Sequence, residues 1–248
     1  MQHYTRQFYF YYCVQSFIFA LMGNIIITID GWSSCGKSTL ARQLAKALGY
    51  VYIDSGAMYR AITLYFLRNH INWADSKQVK TALKEINIDF KFNNITQQSE
   101  IYLNDENVEY LIRDLVIAEK VSEIAAIKEI RTFAVAQQQL MGANKGIVMD
   151  GRDIGTTVFP KAELKIFMTA DIAVRVERRY VEMQAKNPNV SIEDVKANLQ
   201  MRDFIDSNRE ISPLCKADDA IEIDNTNINI KDQLSIAMEL ANKKLQKI

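Results

Sequence analysis

The chain has 248 residues, enough for one large α/β domain with a full core, and it is 48% hydrophobic and 24% charged, as soluble globular proteins are. Lys plus Arg equals Asp plus Glu at 30 each, so no global positive field exists to gather nucleic acid or an anionic membrane, and any anion site must be local. The cysteines (Cys13, Cys35, Cys215) are widely separated and odd in number, and His3 and His70 make no metal-spaced pair with them; they do not suggest a disulfide scaffold or a metal cluster, and a reducing cytosol is expected.

Residues 1–22 are aromatic-rich and unlike the rest. Arg6 is their only basic residue, Gln15 and Ser16 interrupt the apolar run, and no small-residue cleavage pattern follows, so a signal peptide is disfavoured. Translation from Met22 is the expectation, with a poorly ordered tail or a membrane-surface anchor as alternatives. The first strand is predicted at about 24–30, leading into Gly31-Trp32-Ser33-Ser34-Cys35-Gly36-Lys37-Ser38 and a helix over 37–48 with Leu40, Leu44 and Leu48 on one face. Strand, glycine-bearing loop and helix together read as a phosphate cradle: backbone N–H groups converge on an anion, Lys37 reaches the outer phosphates, and Ser38 ligates Mg²⁺. The plainer alternative is a strand-to-helix turn with a solvated lysine.

A second strand at 50–53 runs into Asp54-Ser55-Gly56-Ala57-Met58-Tyr59-Arg60 and a helix from about 57 to 67. Arg60 there grips a second phosphate, or else Asp54 or Ser55 simply caps the helix. From 86 to 109 the pattern turns to period two, with Ile86, Ile88, Phe90 and Phe92 alternating with polar residues and Asn104-Asp105-Glu106-Asn107 reading as a turn; a small antiparallel sheet is inserted here. Ser122 and Arg131 are expected on one long amphipathic helix. A third strand, 145–150, ends in Asp150, placed to hold Mg²⁺ through water opposite Ser38, and is followed by Gly151-Arg152-Asp153-Ile154-Gly155-Thr156. Further strands fall at 164–168 and 220–223, and a final helix at about 229–246 carries Ile230, Leu234, Met238 and Ala241 on one stripe. Between them, 171–210 is helical and rich in arginine (Arg175, Arg178, Arg179, Arg202, Arg209), with Pro188 marking a break. Arg202, Asp206 and Arg209 at i, i+4 and i+7 would share one helical face able to hold phosphates and accept from a hydroxyl. A solvated charged face is the plainer reading. The fold class expected is α/β: a P-loop NTPase-type parallel five-stranded sheet flanked by helices, in one domain spanning 23–248.

These segments, with Ser122-Glu123-Ile124-Ala125-Ala126, Val158-Phe159-Pro160 and Pro213-Leu214, resemble the bacterial cytidylate kinases over roughly 23–246. The resemblance implies transfer of the ATP γ-phosphoryl to CMP or dCMP, with Mg²⁺. It implies donor binding by Gly31, Trp32, Ser33, Ser34, Cys35, Gly36, Lys37, Ser38 and Thr39, and catalysis by Lys37, Arg152 and Arg202. Cytosine reading falls to Ser122, Arg131 and Asp153, and the phosphate side to Ser55, Tyr59, Arg60 and Arg152. Arg202 and Arg209 match a closing arm, and Asp206 the pentose contact. It further implies a nucleotide-monophosphate insert at about 84–120, a helical lid at about 171–210, and a monomer without nucleic-acid or membrane partners. Trp32, where many members carry proline, Cys35, where they carry a smaller residue, and the apolar Ile205 depart from the family pattern.

Overall fold

The computed structural model describes residues 23–96, 98–185 and 188–247; the N-terminal 1–22, and the translation start expected there, lie outside the described residues. Strand β1 (Ile26–Gly31) is the middle of a five-stranded parallel sheet. It pairs with β6 (Ile147–Gly151) on one side and β7 (Leu164–Thr169) on the other. Outside these lie β2 (Val51–Asp54) on β6 and β8 (Ile221–Asp224) on β7, giving the order β2-β6-β1-β7-β8. The inner strands are apolar at consecutive positions because both faces are covered, as parallel sheets require. On one face Ile27, Ile29 and Ile166 pack against Leu40 and Leu44 of α1 (Lys37–Leu48) and Ala237 and Ala241 of α8 (Ile230–Leu245). On the other, Ile53, Ile147 and Met149 meet Val135 and Met141 of α5 (Lys128–Met141). All strand carboxyl ends therefore share one edge, where open α/β sheets bind ligands.

The period-two stretch forms a three-stranded antiparallel sheet, β3 (Ile88–Asn93), β4 (Gln98–Leu103) and β5 (Glu106–Asn107). Its inward residues Ile88, Ile101 and Leu103 join the core of α2 (Ser55–Arg68), α3 (Ser76–Glu85) and α4 (Leu115–Ala125). Two further helices, α6 (Ile172–Gln184) and α7 (Ile192–Asn208), share a small cluster of Val176, Val195 and Leu199. Among the described residues no helix is long and apolar enough to cross a membrane.

Four expectations need correction. Ser122 and Arg131 do not share one helix: α4 ends at Ala125, and Ile127 turns extended (φ −70°, ψ 129°) before α5. The amides of Ala126 and Ile127 each bond three residues back, tightening the last turn, while Ile124 and Ile130 bury on either side. The turn is confined to Asn104-Asp105, both at positive φ; Glu106 and Asn107 already pair with β4. Ile230 is 57% exposed, because α8 presents Gln233, Ala237, Ala241 and Leu245 to the core, with Leu234 and Met238 only flanking it. Arg209 lies one residue past α7, in extended backbone, so the expected i+7 helical relation fails, although its side chain still reaches the site.

Candidate active site

At the end of β1 the chain passes so close to β7 that a Cβ on Gly31 would lie 2.0 Å from the Met168 carbonyl oxygen, with φ at +145°; glycine alone fits. Ser34 (φ 59°) and Gly36 (φ 90°) then curl the loop so that α1 begins at Lys37 with its amide end facing the sheet edge. The loop is braced from behind by Asn225, whose amide donates to the Cys35 carbonyl at 2.6 Å and to Gln233 Oε1 at 2.8 Å. The Lys37 ammonium rests on the Trp32 carbonyl at 2.5 Å, and burial, then the Arg152 charge, lowers its pKa.

A cavity of about 490 Å³ opens in front of this loop. Ser33, Ser34, Gly36, Lys37, Ser38 and Thr39 line its donor end. Ser55, Tyr59, Arg60, Ser122, Asp150, Arg152, Asp153, Arg202, Asp206 and Arg209 are among the residues lining the remainder, with Arg178 and Arg179, so residues from α2, α4, β6, α6, α7 and two loops meet in one chamber. Gly31, Trp32, Cys35 and Arg131 are off its wall. Arg131 stands behind Asp153: its guanidinium pairs with that carboxylate and donates to the Ala125 carbonyl at 3.2 Å, using the acceptor freed where α4 stops. Arg209 pairs with the other Asp153 oxygen at 3.1 Å.

Ser38 Oγ donates to Asp150 Oδ2 at 2.8 Å, and Tyr52 donates to Oδ1 at 2.9 Å. Burial, then the charge of Asp54, pushes the Asp150 carboxyl up to about 6. Burial also presses on Asp54, but Arg60 at 2.9 Å and Arg113 at 3.7 Å carry its pKa below the usual value. Ser55 Oγ is committed to the Asp150 carbonyl at 2.6 Å. The Tyr59 hydroxyl is buried and its ring lies under the Arg131 guanidinium; burial raises its pKa to about 12. Arg152 spans the chamber, donating to Asp206 at 2.8 Å and to Ser33 Oγ at 2.9 Å. Arg202 makes no ion pair among the described residues; its Nε is buried unpartnered, and burial, then the neighbouring Arg152, lowers its pKa to about 10.

Sequence reasoning missed several participants. Asp30 looked like the tail of an apolar strand, yet it is buried and accepts from the Ile154 and Gly155 amides at 2.8 and 2.7 Å, fixing the loop that carries Arg152 and Asp153. Burial pushes its carboxyl up to about 7. An aspartate ending a strand inside an apolar run was the available signal. Asp203 had no local signal, since its partners Ser33 and Arg175 lie far away in sequence, and Arg113 offered only its i,i+4 pair with Glu109 at 2.7 Å, with nothing to announce its reach to Asp54. The arrangement can hold two anions side by side, one on loop amides and one among arginines, with a buried carboxylate offering acceptors beside the second.

The family model for cytidylate kinase matches residues 27–243. The chain is 55% identical over 225 residues to the cytidylate kinase of Flavobacterium psychrophilum, covering 89% of this chain and 99% of that protein. It is 53% identical over 215 residues to that of Bacteroides thetaiotaomicron (86% and 94%) and 51% identical over 220 residues to that of Cytophaga hutchinsonii (89% and 94%). With a match spanning nearly all the described residues and every strand of the parallel sheet, the chain belongs to the cytidylate kinase family.

Proposed function

We propose that this protein transfers the γ-phosphoryl of ATP to CMP or dCMP, giving ADP and the cytidine diphosphate. The observation that carries the reading is Asp153, a buried carboxylate held by Arg131 and Arg209 on the wall of the chamber that also contains the phosphate loop. A carboxylate accepts from the exocyclic amine that distinguishes cytosine from uracil, and Ser122 stands on the same wall to complete the base contact. Arg60, Arg152 and Arg209 receive the acceptor phosphate, with Ser55 and Tyr59 beside it, and Asp206 accepts from the pentose.

An oxygen of the acceptor phosphate attacks the γ-phosphorus, the bond to the β–γ bridging oxygen breaks, and ADP leaves with that electron pair. The attacking oxygen is already anionic, so no general base is required. Lys37, the loop amides and Arg202 hold the migrating charge, and positioning supplies the rest of the acceleration. Helices α6 and α7 act as the arm that closes over both nucleotides and keeps water from the γ-phosphate. The donor set at Ser38 and Asp150 is hard oxygen beside a carboxylate whose ionisation is resisted by burial and by Asp54, an environment a divalent cation relieves. Among the described residues no group of three or more metal-ligating side chains occurs, which suits an ion held mainly by substrate phosphates. Ser38 would hold Mg²⁺ directly and Asp150 through water, and the ion would offset phosphate charge. The same reading makes the protein a cytoplasmic enzyme whose partners are nucleotides, and a monomer suffices for it, because the phosphate loop and the acceptor-side residues lining the chamber can come from one chain.

The test is ADP release from ATP and Mg²⁺ with CMP, dCMP, UMP and AMP in turn. CMP and dCMP should far outpace the others. Release that is independent of acceptor, or fastest with AMP, refutes the reading.

A further inference from the structure

Ser33 lies in the phosphate loop, yet each of its polar groups is engaged from outside that loop. Its amide donates to Asp203 Oδ1 at 3.2 Å, its hydroxyl accepts from Arg152 at 2.9 Å, and its carbonyl accepts from Arg175 at 3.2 Å. The three partners are linked in turn. Arg175 pairs with Asp203 Oδ2 at 2.5 Å, and Arg152 pairs with Asp206 at 2.8 Å. Asp203 and Asp206 are three residues apart on α7, hence on one side of that helix. Arg175 is buried in α6 and also donates to the Ala170 carbonyl at 3.1 Å, anchoring that helix to the end of β7.

This wiring joins three bodies: the donor loop, the α6–α7 pair, and the loop carrying Arg152 and Asp153. Arg152 touches the donor loop with one nitrogen and the pentose-side Asp206 with another, so displacement at either end is felt at the other. Asp203 adds a second tie, since a carboxylate on α7 occupies an amide of the anion-binding loop.

We propose that Ser33 and Asp203 are positioning residues that couple the two nucleotide sites, so that occupancy of one tightens the other through the Arg152–Ser33–Asp203–Arg175 linkage. The inference rests on the donor and acceptor assignments above. Neither residue carries out chemistry; each transmits the position of the arm to the phosphate loop. By linkage the effect is reciprocal: CMP strengthens ATP binding by the factor by which ATP strengthens CMP binding.

Calorimetric titration of the full chain tests this, with the CMP dissociation constant measured alone and with a saturating non-hydrolysable ATP analogue and Mg²⁺. The ratio is the readout, because a purely structural role shifts the melting temperature and leaves the ratio alone. The parent should give a ratio on the order of tenfold, and Ser33→Ala and Asp203→Ala should each bring it to about twofold or less. Asp203→Asn keeps an oxygen for the Ser33 amide but loses the charge opposite Arg175, so an intermediate ratio is expected. Thermal melting identifies a variant that fails to fold; Ser33→Ala and Asp203→Asn, which remove little volume, then carry the test. A ratio undiminished in Ser33→Ala and Asp203→Asn, or a parent ratio near one, overturns the inference. If the parent neither binds CMP nor phosphorylates it, the acceptor assignment falls and this inference with it; CMP transfer with undiminished coupling in the variants overturns the inference alone.

Discussion

Replacing Asp153 with asparagine leaves the side-chain shape nearly intact but removes the one charge between two guanidinium groups. Asp153 is 3% exposed and Arg131 1%, so neither is rescued by water. Arg209 keeps the Ser212 carbonyl at 2.7 Å and a weak tie to Asp206 at 3.9 Å, and Arg131 keeps the Ala125 carbonyl and the face of the Tyr59 ring, but among the described residues neither retains a close counter-charge. Removing one partner of a buried pair costs about 3–5 kcal/mol, because the remaining charge is buried without compensation. A domain of this size loses about 2–4 °C of melting temperature per kcal/mol, so Asp153→Asn should melt about 6–20 °C below the parent. Calorimetric unfolding at matched salt and pH measures this. The double variant Asp153→Asn with Arg209→Gln should recover part of the loss, since it deletes one of the stranded charges. Loss of the acceptor to the cytosine amine should also lower kcat/KM for CMP by about 5–150-fold, the equivalent of about 1–3 kcal/mol. A melting temperature within about 2 °C of the parent refutes the claim that Asp153 is the counter-charge of this cluster.

Arg202 offers the opposite profile: with no ion pair among the described residues and Arg152 nearby, Arg202→Ala should cut turnover on the order of 10³-fold while leaving the melting temperature unchanged or higher, and turnover within about tenfold of the parent rejects its role. Asp30, at about 7, and Asp150, at about 6, both lie above the ordinary aspartate value of 3.8. The folded state therefore binds the extra protons, and their stabilising contribution is complete below about pH 4 and lost as pH rises through 6 to 7. The melting deficit of Asp30→Asn relative to the parent should accordingly narrow between pH 5 and pH 8; a constant deficit shows that Asp30 does not titrate there. Gly31→Ala forces a methyl to 2.0 Å from the Met168 carbonyl and should cost at least about 1–3 kcal/mol; an unchanged melting temperature with full activity contradicts the close approach.

The parts of this molecule legible in its sequence are those whose cause is local. The phosphate loop is a run of neighbours whose spacing serves one task, and the alternation through Ile88, Phe90, Ile101 and Leu103 reports a strand period directly. The break after α4 was not legible because Ala126-Ile127 contains neither glycine nor proline; it follows from what Ile124 and Ile130 must bury. Asp30 needed the fold as well, because its partners Ile154 and Gly155 come together with it only when β1 and β6 pair. Spacing around Asp206 sets Arg202 and Arg209 apart from the other arginines of 171–210, but only the structure divides them by partner: Arg202 faces the chamber with no ion pair among the described residues, whereas Arg209 is held by Asp153, Arg175 by Asp203 and Arg178 by Asn225. Residue type announced positive charge, and only packing separates the bound from the free.

The link at Ala126-Ile127 has a consequence for redesign. Ser122 and Arg131 are mounted on two separate rods with a joint between them, and the Arg131 bond to the Ala125 carbonyl spans that joint, so lengthening or swivelling it changes the aim of one relative to the other. An engineer seeking a different acceptor base can therefore vary two residues of connector before altering any side chain in the chamber.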